Sequence, residues 1–205
     1  MRRRVREGDR EAFAQLYEEF ARPVYNHGLR LTGDWSTAED VMSETFLTAW
    51  HARTRLAEDG GSLLPWLLGI ATHKADNARR STRRRQRFLA RQVPPREVED
   101  FAARAAGRID DARRLRAVHA ALGRLRRQER EVLALCVWSG LDYQQTAEAL
   151  GIAVGTVRSR LSRARKKLAR FADENTAQDR EPRVHRGEVT SVAAIAALPV
   201  REELT

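Results

Sequence analysis

The chain is predicted to be all-α, with two small helical domains joined by a basic linker and followed by a tail. Three observations predict this. Apolar residues recur at three- and four-residue spacing along most of the chain, and no stretch sustains the period-two alternation of a strand. The helical pattern is interrupted near 81–110, where STRRRQRFLARQVPPREVED combines an arginine run, the Pro94-Pro95 break and an acidic cluster. With 205 residues and 42% hydrophobic content, the chain can build the cores of one or two ordinary domains. No internal repeat is found.

Asp9 opens the first expected helix, whose apolar positions Phe13, Leu16, Tyr17 and Phe20 follow i, i+3, i+4 spacing. Pro23 is expected to begin a second helix, Val24 to Leu31, because proline is tolerated in a first turn. Gly33-Asp34 marks a break. Ser36 and Glu39 match a capping box that starts a third helix, running to about Arg53. Ser62 caps a fourth, with Pro65 in its first turn, extending through Trp66, Leu67, Ile70 and Ala71 towards Arg80. Helical patterning resumes near Asp111, passes Leu122 and Leu125, and restarts from Gln128 to Trp138. The expected boundaries are a first domain over 8–84, a linker over 85–110, a second domain over 111–171 and a flexible tail over 172–205.

The second domain ends in LDYQQTAEALGIAVGTVRSRLSRARKKLARF (141–171), two short helices around a tight turn. Asp142 can cap the first of them, with Gln145 as reciprocal partner. Ala147 lets the helices approach, Gly151 supplies the turn and Val157 plugs the shared core, as a DNA-binding helix-turn-helix requires. Val157, Leu161, Ala164, Leu168 and Phe171 form a packing stripe. Arg158, Arg160, Arg163, Arg165, Lys166, Lys167 and Arg170 are left to face outward, with no acid among them.

Charged residues make up 32% of the chain and its formal net charge is +10, which predicts a polyanionic partner. The charge is uneven: residues 173–205 sum to −3, so residues 1–172 carry +13. The single cysteine, Cys136, sits in an apolar run and excludes an internal disulfide; a buried thiol in a reducing cytoplasm is expected. The basic first residues lack the apolar segment of a signal peptide, and the apolar stretches near 66–71 and 191–200 are too short to span a bilayer.

Two further faces carry chemistry. On the third helix Asp40, Ser43, Glu44, Leu47 and His51 recur on one side, while Val41, Met42, Thr45, Phe46, Ala49 and Trp50 mostly turn inward. An acidic stripe with a leucine in it suits a basic partner protein with an apolar contact point, although pattern alone favours an ordinary solvated face. On the fourth helix Trp66, His73, Asn77, Arg80 and Arg84 share a face, a set suited to stacking on unpaired bases and bonding their phosphates. Trp66 is equally readable as core. Arginines 79, 80, 83, 84, 85, 87 and 91, with no acid between them, favour phosphate contact.

Together AEDVMSETFLTAW (38–50), PWLLGIATHKADNARR (65–80) and GIAVGTVRSRLSRARKKL (151–168) resemble bacterial extracytoplasmic-function (ECF) RNA polymerase sigma factors of the housekeeping-sigma superfamily. The resemblance covers residues 8–171, the linker matching in character only. It implies that the two helical domains are sigma domain 2 and sigma domain 4. It further implies that residues 36–53 dock on the β′ clamp helices of core RNA polymerase through Asp40, Ser43, Glu44, Phe46, Leu47 and Trp50. That reverses the bland reading of the acidic stripe. Residues 56–80 and the arginines beyond look like the loop and helix that read the −10 element and hold its opened strand, through Trp66, His73, Asn77, Arg80, Arg83 and Arg84. Residues 154–170 look like the helix that reads the −35 element, through Thr156, Arg158, Ser159, Ser162, Arg163, Arg165 and Lys166. The linker is similar to segments that thread through the polymerase. Implied partners are core polymerase, including its β subunit, and promoter DNA, and an anti-sigma factor is a further partner the family allows. No cofactor or metal is implied. Ser43 stands where the family usually has glutamine, and His73 where it usually has asparagine.

Two rival classes are weighed against this. A free-standing helix-turn-helix repressor or activator would not need the acidic helix or the Trp66–Arg84 face. A nuclease is disfavoured: the five histidines are scattered without metal spacing, and neither a phosphate loop nor a nucleophile elbow occurs.

Overall fold

The computed structural model describes residues 1–57, 60–89 and 120–178, and among them every regular element is helical. The chain divides into two compact units, Met1–Arg116 and Ala117–Thr205. In the first unit α1 spans Arg2–Glu7, α2 Arg10–Thr32, α3 Trp35–Ala52 and α4 Leu64–Leu89, with a 3₁₀ turn at Arg53–Arg55 after α3. In the second, a helical end at 120–123 precedes α5 (Arg127–Leu133), a π-helical segment (Ala134–Trp138), α6 (Tyr143–Leu150) and α7 (Val154–Gln178). The expected linker beyond Leu89, the pattern near Asp111 and the tail beyond Gln178 lie outside the described residues.

In the first unit α2, α3 and α4 pack mutually. Leu16, Val24, Ala38, Ala49, Leu67, Ala71 and Ala75 are fully buried between them. One expectation fails here. Pro23 does not begin a helix; it lies inside α2. A proline within a helix removes one backbone bond and costs about 3 kcal/mol in isolation. The helix continues because Leu16, Phe20, Val24, His27 and Leu31 stay on one buried stripe across it, and tertiary burial decides such cases. A second correction concerns α3. Its cap is Asp34, whose carboxylate accepts from the Thr37 N–H at 2.7 Å, so Ser36 lies in the first turn and not at the cap. Asp34 directly follows Gly33, which ends α2 in the left-handed conformation at φ 75.

Asp9 caps α2 as expected, accepting from Glu11 and Ala12. Ser62 Oγ accepts from the Leu64 N–H at 3.1 Å where α4 begins. That helix then runs past Arg80 to Leu89. The short helix α1 was not anticipated; it packs on the 3₁₀ turn and on α2 through the fully buried Val5.

The second unit is built on Leu122, Leu125, Val132, Leu133, Ala147, Val157, Leu161, Ala164 and Leu168. Asp142 and Gln145 exchange reciprocal bonds at 2.7 and 3.1 Å. Gly151 turns the chain at φ 63, a left-handed backbone that suits glycine. Helix α7 extends seven residues beyond Phe171, into the stretch expected to be tail; no glycine or proline interrupts the sequence before Pro182.

Candidate partner and nucleic-acid interfaces

Helix α3 presents Asp40, Ser43, Glu44, Leu47 and His51 to solvent. Leu47 is 60% exposed and lines the same open groove as Phe13, Phe46 and Trp50. Glu44 pairs with Lys74 of α4 at 3.1 Å, whereas Asp40 stands apart on the same face. Phe46, grouped with these by sequence, is a buried residue. Its ring meets Phe13 edge-on at 6.3 Å and Tyr17 at 4.8 Å. Trp50 is half-buried, 5.0 Å from Phe13, with the Arg53 guanidinium 4.3 Å from its centroid and bonded to its carbonyl at 2.7 Å. Arg10, Phe13, Phe46, Leu47 and Trp50 thus line an open groove of about 390 Å³ beside the acidic residues.

Sequence reasoning missed the contribution of α2 to this surface. The i, i+3, i+4 spacing places Phe13 and Tyr17 on one apolar stripe, yet Tyr17 is 43% exposed.

Helix α4 carries His73, Asn77, Arg80, Arg83 and Arg84 on its exposed surface, with Trp66 half-buried. Arg80 is braced on that face: it donates to Asn77 Oδ1 at 2.7 Å and pairs with the buried Asp76 at 3.3 Å. Arg79 departs from the expected phosphate set. Its guanidinium donates to the Leu31 carbonyl in the last turn of α2, satisfying a group that the helix end leaves without an intrahelical partner. Behind the exposed face, the imidazole of the fully buried His27 bonds Thr72 Oγ1 at 2.8 Å, and Thr72 donates to the Leu68 carbonyl. Thr72 therefore accepts from His27 Nε2–H. Burial, aided by the nearby Arg30 charge, pushes the His27 pKa down to about 3, so the ring is neutral.

On α7, Arg158, Ser159, Ser162, Arg163 and Lys166 are exposed, while Thr156 and Arg165 are half-buried. Arg163 folds along its own helix, donating to the Ser159 carbonyl and hydroxyl at 3.1 Å each. The Arg158 guanidinium lies 5.6 Å from the Tyr143 ring centroid of α6. Lys167, counted by sequence with the outward basic set, instead reaches back to Glu129 of α5 at 2.7 Å. The Glu129 carboxylate also accepts from the Arg126 N–H at 2.9 Å. Burial pushes this carboxyl up, but the Lys167 ammonium and the Arg126 N–H outweigh burial and hold its pKa below the ordinary value. Cys136 is buried as expected, its thiol raised by burial and bonded to Thr146 at 3.2 Å.

Among the described residues no group of three or more His, Cys, Asp or Glu side chains could hold a metal ion. No described helix is long and apolar enough to cross a membrane. Among the described residues there are an acidic and apolar surface on α2–α3 and two polar-to-basic surfaces, on α4 and on α7.

The sequence matches the Sigma-70 region 2 family over residues 16–85 and the Sigma-70, region 4 family over residues 115–168. It is 33% identical over 149 residues to the ECF RNA polymerase sigma factor SigL of Mycobacterium tuberculosis, covering 71% of this chain and 80% of that one. Among solved structures it is similar to CnrH in complex with the cytosolic domain of CnrY, at 25% identity and a TM-score of 0.62, covering 84% of this chain and 95% of CnrH. It is likewise similar to the sigma factor RpoE of Bartonella quintana, solved with the anti-sigma factor NepR, at 25% identity and a TM-score of 0.57, covering 80% and 98%. With both family regions present in order, and with that identity over most of its length, the chain belongs to the ECF RNA polymerase sigma factors, which direct RNA polymerase to promoters.

Proposed function

We propose that the three surfaces divide promoter-directed initiation between them. The face of Asp40, Ser43, Glu44 and Leu47, with the groove floored by Phe46 and walled by Trp50, docks on the β′ clamp helices of core polymerase. The α4 face of Trp66, His73, Asn77, Arg80, Arg83 and Arg84 reads the −10 element and holds its opened strand. The α7 face of Thr156, Arg158, Ser159, Ser162, Arg163, Arg165 and Lys166 reads the −35 element. The observation that carries this reading is the exposed acidic and apolar surface on a strongly basic chain, which DNA binding alone does not call for.

Strand opening costs stacking and pairing energy, and capture of unpaired bases on a polar and aromatic face offsets it. Arginines on α7 fix register by contacting phosphates, and one or two reach guanine edges in the major groove, each such contact contributing roughly 1–3 kcal/mol of discrimination. Two weak grips joined in one chain become effective because binding the first raises the local concentration of the second. No covalent step falls to this chain, so it acts as a non-enzymatic factor, in the cytoplasm where core polymerase and promoter DNA meet. An anti-sigma protein is the further partner this reading admits, since the RpoE relative above was solved with an anti-sigma factor and CnrH with the cytosolic domain of another protein.

The test is transcription in vitro with core polymerase, alongside a gel shift without it. The chain should bind and open promoter DNA only with core polymerase. Tight, sequence-specific binding of duplex DNA by the chain alone would favour a free-standing repressor instead. Reversing Asp40 and Glu44 to lysine should weaken capture of core polymerase while leaving the helical content unchanged.

A further inference from the structure

Helix α1 lies outside the three-helix core, yet it is fastened at both ends to the path leading into α4. At its carboxyl end Gly8 closes the helix, and Arg4 Nε donates to the α2 cap Asp9 at 2.6 Å, fixing the corner between α1 and α2. The Arg53 guanidinium lies against that corner, close enough that a β-carbon on Gly8 would stand 3.1 Å from its Nε. At the other end Arg2 reaches across 59 and 60 residues of sequence. Its Nη2 donates to the Gly61 carbonyl at 3.3 Å and the Ser62 carbonyl at 3.2 Å. Its guanidinium carbon would stand 3.0 Å from a β-carbon on Gly60, whose φ of 143 already favours glycine. Ser62 Oγ in turn accepts from the first N–H of α4, and Leu63 beside it is buried.

We infer that Arg2 is a positioning residue for promoter selection: by holding the arm Gly60–Ser62 it fixes the approach to α4 against which the opened −10 strand is read. Two adjacent glycines are the most conformationally free stretch a chain can have, and ordering them when DNA arrives would weaken binding. Arg2 orders them beforehand with two charge-assisted bonds to carbonyls. It also leaves a cation beside the arm, where a strand carrying phosphates would pass. The inference rests on the −10 assignment made above for α4.

The experiment uses the full chain reconstituted with core polymerase, on a promoter selected from genomic DNA, with templates bearing each base at each −10 position. Arg2→Ala should reduce the ratio of transcription between the best and worst base by about three- to tenfold, the range set by losing one or two exposed hydrogen bonds. Core polymerase affinity should stay as in the parent, because Arg2 lies outside the docking groove, and melting should fall only slightly, since the half-buried Arg2 gives up two bonds at the surface. An unchanged base ratio overturns the inference. So does a loss that is uniform over all templates and accompanied by markedly lowered melting, which is what a merely structural role would give. His73→Ala and Asn77→Ala run in parallel: if they alter the ratio and Arg2→Ala does not, the positioning role alone fails. If none alters it, the −10 assignment fails and the inference goes with it.

Discussion

Helices α4 and α7 are both long and rich in arginine, and they are held by different physics. Helix α4 adds to its buried apolar residues Leu67, Leu68, Ala71 and Ala75 two long-range polar bonds, the buried His27 to Thr72 and the part-buried Arg79 to the Leu31 carbonyl. Helix α7 is fixed by an apolar stripe from Val157 to Leu168 and by the ion pair of Lys167 with Glu129. The difference teaches that a run of basic residues is not a uniform surface. One arginine of α4 and one lysine of α7 serve the fold, and the neighbours of each remain outward.

The largest consequence is a divergence in acid sensitivity. His27 titrates at 6.5 when unfolded and at about 3 when folded, so below 6.5 the unfolded state binds a proton that the native state refuses. Stability of the first unit should therefore fall by about 1.4 kcal/mol per pH unit between those values. Glu129 behaves oppositely in charge but is lost in the same direction: its folded pKa is depressed, so its contribution is present above 4.5 and disappears as pH falls through the folded value. Amide hydrogen exchange along the intact chain should show α2–α4 loosening below pH 6.5 while α5–α7 hold until below 4.5. His27→Gln should remove the earlier slope. Simultaneous loosening of both units in the parent protein would contradict the contrast.

Lys167→Met comes next. It leaves the Glu129 carboxylate, whose side chain is 5% exposed, without its ammonium. The second unit should lose about 1–3 kcal/mol, read as faster exchange confined to α5–α7. Arg163→Ala, one turn earlier and exposed, should leave stability alone and reduce discrimination at the −35 element by roughly 1–3 kcal/mol, measured as transcription from matched and mismatched templates. Smallest is the pair on α4. Arg79→Ala should destabilise the first unit by about 1 kcal/mol through the freed Leu31 carbonyl. Arg84→Ala should change melting little and instead lower the salt dependence of promoter binding, by about one unit of slope.

Much of this was legible in sequence, and the exceptions have physical causes. The helix-turn-helix was readable to single residues because caps and turns are local: Asp142, Gln145 and Gly151 act on their own neighbours. Pro23 misled because a local rule was overridden by burial at distant residues. The roles of Arg79 and Lys167 were invisible for a related reason. Each side chain bonds a partner 48 or 38 residues away, and nothing in a run of like charges marks which member turns inward. The groove beside α3 was half-read. The resemblance grouped Phe46, Leu47 and Trp50, but only packing shows that Arg10 and Phe13 of α2 complete the groove.

The proline in α2 has a kinetic consequence. Its missing N–H interrupts the ladder between the segments 10–22 and 24–32. Each is at or below the length at which a lone helix persists in water, and the missing bond weakens propagation from one into the other. The full helix is then stable only once Val24, His27 and Leu31 have closed on their neighbours. Folding of the first unit should be a single concerted event, its rate set by the long-range docking of α4 on α2 and not by the speed at which helices form.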